Sequence, residues 1–315
     1  MKLAMVFPGQ GSQAVGMLKA YAGLPELDAT RADAGEALGE AFLRLLDEGP
    51  AERLNLTVNT QPAMLTAGVA AYRAWRALGG PGPQIVAGHS LGEYAALVAA
   101  GALGFRDALR LVRFRAEAMQ EAVPEGQGAM AAVLGLDDDA VRAACREAEH
   151  AGAAREVVQA VNFNAPGQTV IAGHKAAVAR ALERCKSAGA KRTMALPVSA
   201  PFHSSLMQPA AEKLRARLAE APLAPPSVML LNNVDVADER APERIKDALA
   251  RQAAAPVRWV EIVRCMAAHG VTHVLECGPG KVLAGLARRI DGRLQCHALA
   301  DRGSLEQALA SLGAA

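Results

Sequence analysis

Aromatic residues are scarce: two Trp, three Tyr and six Phe make up 3 % of 315 residues. Apolar residues still reach 51 %, so the core must be built mainly from Ala, Leu and Val. Cysteine is scarce too. Cys145, Cys185, Cys265, Cys277 and Cys296 are odd in number and include no C-x-x-C pair. That argues against a disulfide framework and a zinc site, and fits reduced thiols. Neither sign of charge dominates, since 34 Lys and Arg against 32 Asp and Glu leave +2. Such a balance gives no long-range field for nucleic acid or an anionic membrane. Long hydrophobic runs are also missing. Leu3–Phe7 stops at Pro8, too short for a secretory leader, and no run approaches a membrane span. A soluble, cytoplasmic protein without a metal site is expected.

Short apolar runs alternate with longer helical patterns. Lys2–Phe7, Gln84–Ala87, Val228–Leu231, His273–Glu276 and Leu294–Ala298 have strand length but no strict polar alternation. They predict strands of a parallel sheet covered by helices on both faces. Helical periodicity marks Thr60–Leu78, Leu91–Ala100, Phe105–Ala122, Pro209–Ala219, Pro242–Gln252 and Val257–His269. From Gly128 to Pro197 the order is β-α-β-β-α-β, the ferredoxin-like split motif. The length suits one large domain with an insertion. The expected fold is therefore α/β: a large domain (1–126 and 198–315) with a parallel sheet, and a small ferredoxin-like domain (127–197) inserted into it.

The segment Ala87-Gly-His-Ser-Leu-Gly-Glu-Tyr94 sits between a predicted strand and a predicted helix. Gly88-x-Ser90-x-Gly92 reads as a nucleophile elbow, whose glycines permit a tight turn and close backbone approach. The helix start that follows offers free N–H groups for a developing oxyanion. Ser90-x-x-Glu93 also reads as a helix-capping box, and the two readings are compatible. A serine hydroxyl needs a base within hydrogen-bond reach. Of seven histidines, His89 adjoins the serine and would point away from it on the turn. His203, where the chain leaves the inserted unit, leads by position.

Arg115 breaks the pattern of its helix. At ~100° per residue it falls with Ala108, Leu111 and Ala118, away from the polar stripe of Arg106, Arg110 and Arg113. A cation there needs a partner: a local acid, or a substrate carboxylate gripped bidentately. Gly9-Gln-Gly-Ser-Gln-Ala14 matches a dinucleotide fingerprint, but residues 24–60 supply no second strand. The alternative is that this loop presents a backbone N–H toward Ser90.

Together these motifs resemble the malonyl-CoA:acyl carrier protein transacylases of fatty acid synthesis. The resemblance runs nearly end to end: FPGQGSQ from Phe7, NTQPA from Asn59, GHSLGEYAALVAAGAL from Gly88, EAVPEGQGAMAAVLGLDD from Glu121, VNFNAPGQTVIAG from Val161, PVSAPFHSSLM from Pro197, QAAAPVRW from Gln252 and ECGPGKVLAGL from Glu276. It implies an α/β-hydrolase-like large domain and a ping-pong transfer of malonyl from malonyl-CoA to the phosphopantetheine thiol of acyl carrier protein. Ser90 would be the nucleophile and His203 the base. The N–H groups of Gln10 and Leu91 would form the oxyanion hole, and Arg115 would clamp the malonyl carboxylate. The backbone carbonyl of Gln252 would orient His203, Asn162 would be a supporting polar residue, and Phe202 would wall the pocket against methylmalonyl. The family implies no bound cofactor and a monomer. Two departures stand out: relatives often carry Arg-Gly at Arg115-Ala116 and Asn-Pro-Val at Ala255-Pro256-Val257. A malonyl-transferring subunit of a malonate decarboxylase, or a trans-acting polyketide acyltransferase, would share the catalytic set. A serine thioesterase would share the elbow without needing Arg115.

Overall fold

The structure, a computed structural model, describes residues 1–151, 156–198 and 200–313. Ser199, within the PVSAPFHSSLM run, lies outside the described residues. The chain opens with β1 (Leu3–Phe7), every residue of which is buried. Helices α1 (Pro25–Leu38), α2 (Glu40–Glu48), α3 (Ala51–Leu54) and α4 (Thr57–Ala77) then pass before β2 (Ile85–Gly88). Helix α5 (Gly92–Ala99) and helix α6 (Phe105–Glu121) follow. A second series runs β3 (Gly128–Leu134), α7 (Asp138–Glu149), β4 (Val158–Ala165), β5 (Gln168–His174), α8 (Lys175–Ser187), β6 (Arg192–Ala195). The chain closes with α9 (Gln208–Ala219), β7 (Met229–Leu231), α10 (Pro242–Gln252), α11 (Trp259–Ala268), β8 (His273–Cys277), α12 (Val282–Ile290), β9 (Gln295–Leu299) and α13 (Arg302–Ser311).

The first sheet has the order β7-β2-β1-β8-β9, and all its pairs are parallel. Its strands carry apolar side chains on both faces because helices cover both. Phe7 and Gly88 are paired in register at the C-terminal ends of β1 and β2. That register brings the loop after β1 beside the turn after β2. Helix α6 buries a wider face than its leading apolar stripe. Phe105, Leu109, Val112, Ala116 and Met119 are buried, and so are Ala108, Leu111, Arg115 and Ala118. Arg115 thus lies in the interior, against α4.

The second sheet has the order β4-β5-β3-β6 and is antiparallel throughout. Asp137 caps α7 by accepting from the Ala140 N–H at 2.7 Å, as an Asp ahead of an apolar-periodic run should. Helices α7 and α8 bury Val141, Ala144, Cys145, Val178 and Ala181 on one face of the sheet. The opposite face contributes Met130, Ala132, Val170 and Ala172 to the main core. Edge strand β4 is joined to the segment ahead of α11: the Val257 N–H donates to Val161 O at 2.8 Å and the Phe163 N–H to Val257 O at 3.0 Å.

Candidate active site

The turn between β2 and α5 is closed by backbone packing. A Cβ at Gly88 would sit 1.8 Å from the Gly92 carbonyl carbon, and one at Gly92 would sit 2.0 Å from Phe7 O. Only hydrogen fits at either position, which is why the serine is flanked by glycines. Ser90 itself has φ 53°, a left-handed conformation unusual for a residue with a side chain. His203 has φ 65°. Strain of this kind, about 1–3 kcal/mol per residue, persists only where the surroundings enforce it.

Those two residues meet. Ser90 Oγ lies 2.7 Å from His203 Nε2, and His203 Nδ1 lies 2.8 Å from the Gln252 carbonyl oxygen. A carbonyl only accepts, so Nδ1 carries the proton and Nε2 is free to accept from the serine. Among the described residues no carboxylate is hydrogen-bonded to the imidazole. Burial, and then the nearby Arg115 charge, push the His203 pKa down to about 3, so the ring stays neutral through the physiological range.

Arg115 is 1 % exposed. Its Nη1 donates to Gln61 Oε1 at 2.6 Å, and its Nη2 to Gln252 Oε1 at 2.8 Å and Ser90 Oγ at 3.2 Å. Every direct side-chain partner among these is uncharged, and Nε has none among the described residues. The guanidinium also faces the Tyr94 ring, 5.6 Å from its centroid. Burial holds its pKa below the usual arginine value.

Helix α5 starts without a side-chain cap, so the capping-box reading of Ser90-x-x-Glu93 is not realised. Ser90 Oγ is engaged by His203. The Glu93 carboxylate instead accepts from Gln252 Nε2 at 2.8 Å and the Asn233 N–H at 3.0 Å. Asn233 fastens the turn from its other side: its Oδ1 accepts from the Ser90 N–H at 2.7 Å and its Nδ2 donates to Gly88 O at 2.7 Å. The Ser90 N–H is therefore engaged. The N–H groups of Gln10 and Leu91 show no protein acceptor among the described residues.

A cleft of about 190 Å³ opens over this centre. Its walls come from Gln10 after β1, His89 and Ser90 at the elbow, Met130, Asn162 and Val170 of the second sheet, and Val198, Phe202 and His203 on the returning chain. Asn162 Oδ1 has no hydrogen-bond partner among the described residues. Phe202 is buried against the core. His89 turns away from Ser90 and meets Asn164 Oδ1 at 2.8 Å beside Trp259. A larger cavity of about 320 Å³ touches His203 but includes neither Ser90 nor Arg115.

All eight residues singled out from the sequence converge at or beside this centre. Four contributions went unread. The Gln252 side chain bridges Arg115 and Glu93. Gln61 holds the guanidinium, Asn233 pins the turn, and Glu93 is a buried carboxylate rather than a cap. Gln61 did carry a signal, since it lies within the NTQPA run at the buried core of α4. Of the departures, Ala116 is accommodated at 0 % exposure. Ala255 leaves the Gln252 carbonyl within reach of His203.

A strained serine at a strand-to-helix turn, with a neutral histidine and a buried cation beside it, defines a serine acyl-transfer site on an α/β scaffold. The chain belongs to the acyl transferase domain family, which it matches over residues 4–290. It is 54 % identical to the malonyl CoA-acyl carrier protein transacylase of Escherichia coli K12, over 98 % of this chain and 99 % of that one. The acyl-carrier-protein S-malonyltransferase of Burkholderia pseudomallei 1710b superposes with a TM-score of 0.95 at 61 % identity, covering 98 % of this chain and 100 % of that one. A malonyl-transacylase solved in complex with a type II polyketide acyl-carrier protein superposes with a TM-score of 0.95 at 48 % identity, covering 99 % and 100 %.

Proposed function

We propose that this protein transfers malonyl from malonyl-CoA to the phosphopantetheine thiol of acyl carrier protein, supplying malonyl units for fatty acid synthesis. The observation that carries the reading is Arg115: a buried guanidinium 3.2 Å from Ser90 Oγ, held directly by neutral side chains only. An acyl group ending in carboxylate supplies the opposite charge; an acetyl group does not.

In the first half-reaction Ser90 Oγ attacks the thioester carbonyl while His203 Nε2 takes its proton. The tetrahedral oxyanion accepts from the Gln10 and Leu91 N–H groups. Collapse breaks the C–S bond, and His203 returns the proton to the departing coenzyme A sulfur. The product is malonyl ester on Ser90. In the second half the carrier thiol gives its proton to His203 and attacks the ester carbonyl; collapse breaks the C–Oγ bond, and His203 returns the proton to Ser90 Oγ. The Gln252 carbonyl holds the ring in the required tautomer without placing a second negative charge beside the malonyl carboxylate, the orienting role that an acid plays in a triad. Phe202 narrows the cleft against a branched acyl group, and Asn162 lines the acyl path. No cofactor takes part.

Residues 127–197 form the inserted small domain in this reading, and it supplies one wall of the cleft. The protein acts as a monomer in the cytoplasm, with the carrier protein as a transient partner. The free cysteines support the cytoplasmic part of that reading. The similarity to a transacylase bound to a polyketide carrier favours a second carrier class, served by the same chemistry.

The test is mass spectrometry of fatty acid and polyketide carrier proteins incubated with this protein and malonyl-CoA. A gain of one malonyl mass on a carrier, with little free malonate, is expected. Free malonate with unmodified carriers would make the protein a thioesterase. Labelling of the polyketide carrier alone would move it to the other pathway.

A further inference from the structure

The carboxylate that a triad would place on the histidine is present, but two contacts away. Glu93 is 1 % exposed, its Oε1 has no partner among the described residues, and its Oε2 accepts from Gln252 Nε2 and the Asn233 N–H. The same Gln252 amide donates to Ser90 O at 2.9 Å and accepts from Arg115 at 2.8 Å. Its backbone carbonyl holds His203. One residue therefore touches all four members of the site, and its amide lies between a buried anion and a buried cation. The orientation of that amide is set at both ends: a carboxylate can only accept from the NH₂ side, and a guanidinium can only donate to the oxygen side.

We propose that Glu93 is a positioning residue that fixes the Gln252 amide and, through it, tunes the charge that Arg115 presents to the malonyl carboxylate. The inference rests on the malonyl-clamp reading of Arg115. Ionised Glu93 already offsets part of the guanidinium charge across one amide; neutral Glu93 leaves that charge to the substrate. Malonyl-CoA then binds more tightly when Glu93 is neutral. The charged and titratable groups facing Glu93 are Arg115 on α6, Tyr94 on α5 and Asp235 on the loop after β7. Asp235 is itself paired to Arg251 at 2.6 Å, and that pairing holds its pKa low. Burial raises the Glu93 pKa to about 7, so its charge changes near neutrality while His203 stays neutral.

Direct binding separates this role from chemistry. Ser90→Ala protein cannot acylate, so calorimetry with malonyl-CoA and acetyl-CoA reads affinity alone. On that background malonyl-CoA affinity is expected to weaken as pH rises from 6 to 8. Adding Glu93→Gln, which keeps the shape and acceptor, should hold affinity at the low-pH value, about threefold to tenfold tighter than its parent at pH 8. Acetyl-CoA affinity should move with neither change. Identical pH dependence with and without Glu93→Gln would overturn the proposal while leaving the clamp intact. A parent that binds acetyl-CoA as tightly as malonyl-CoA would instead sink the clamp reading. A merely structural Glu93 would shift both ligands together.

Discussion

At the scale of single residues, the proposed mechanism divides attack, proton transfer and charge recognition among Ser90, His203 and Arg115. Arg115→Ala removes the proposed partner of the malonyl carboxylate. Malonyl-enzyme formation should fall roughly a hundredfold or more, since unpairing a buried charge costs about 3–5 kcal/mol. Acetyl transfer should rise relative to the wild type, because no unpaired cation then faces the methyl group. Parallel acylation rates with the two thioesters decide it: equal losses for both would remove Arg115 from acyl selection. His203→Ala should slow acylation by about 10²–10⁴-fold, and a near-normal burst of radiolabelled enzyme would move the base elsewhere. The serine and the odd arginine were legible because each breaks a local rule, a serine between glycines and a cation off the polar stripe; the histidine led by position alone, where the chain leaves the inserted unit. Glu93 was misread because S-x-x-E is the ordinary mark of a capped helix. Gln252 was half-read, since its side-chain contacts reach residues 159 and 137 positions away.

At the scale of elements, the β2–α5 junction is the part that allows no substitution. Gly92→Ala would drive a Cβ into Phe7 O, which belongs to the backbone of β1 and cannot rotate away. The expected outcome is a loss of about 1–3 kcal/mol or more of stability, read from urea midpoints, together with loss of malonyl labelling as Ser90 is displaced. A variant of unchanged midpoint and full labelling would show that the turn has slack. The strands of the first sheet were readable because burial on both faces leaves no polar alternation. The ends of α4 and α11 were less so: α4 starts at Thr57 rather than Thr60, and α11 at Trp259 rather than Val257. Val257 is taken instead by pairing with β4. Tertiary hydrogen bonding overrode a helical pattern there, and no local pattern announces a partner that distant in sequence.

At the scale of the whole molecule, the two sheets face one cleft, and the buried charges beneath it make opposite demands on folding. Strand order was not legible, because a connection as long as residues 8–84, with four helices in it, leaves the neighbour of β1 undetermined by the sequence pattern. His203 has its pKa lowered from 6.5 to about 3 by burial and Arg115. As pH falls below 6.5 the unfolded chain takes up a proton that the native state refuses, so this group's contribution declines toward pH 3. Glu93 has its pKa raised from 4.5 to about 7 by burial. As pH rises from 4.5 toward 7 the unfolded chain sheds a proton that the native state keeps, so stability declines in that direction. Between 4.5 and 6.5 the two slopes oppose and largely cancel. Glu93→Gln removes one of them. The stability difference between Glu93→Gln and wild type should therefore drift in favour of the variant as pH rises from 4.5 to 7, by at most about 1.4 kcal/mol per pH unit, and level off above. Exposed ion pairs common to both proteins drop out of the difference. Urea titrations at four or five pH values measure it, and a difference constant across that window would mean that Glu93 ionises in the native protein as readily as in the unfolded chain.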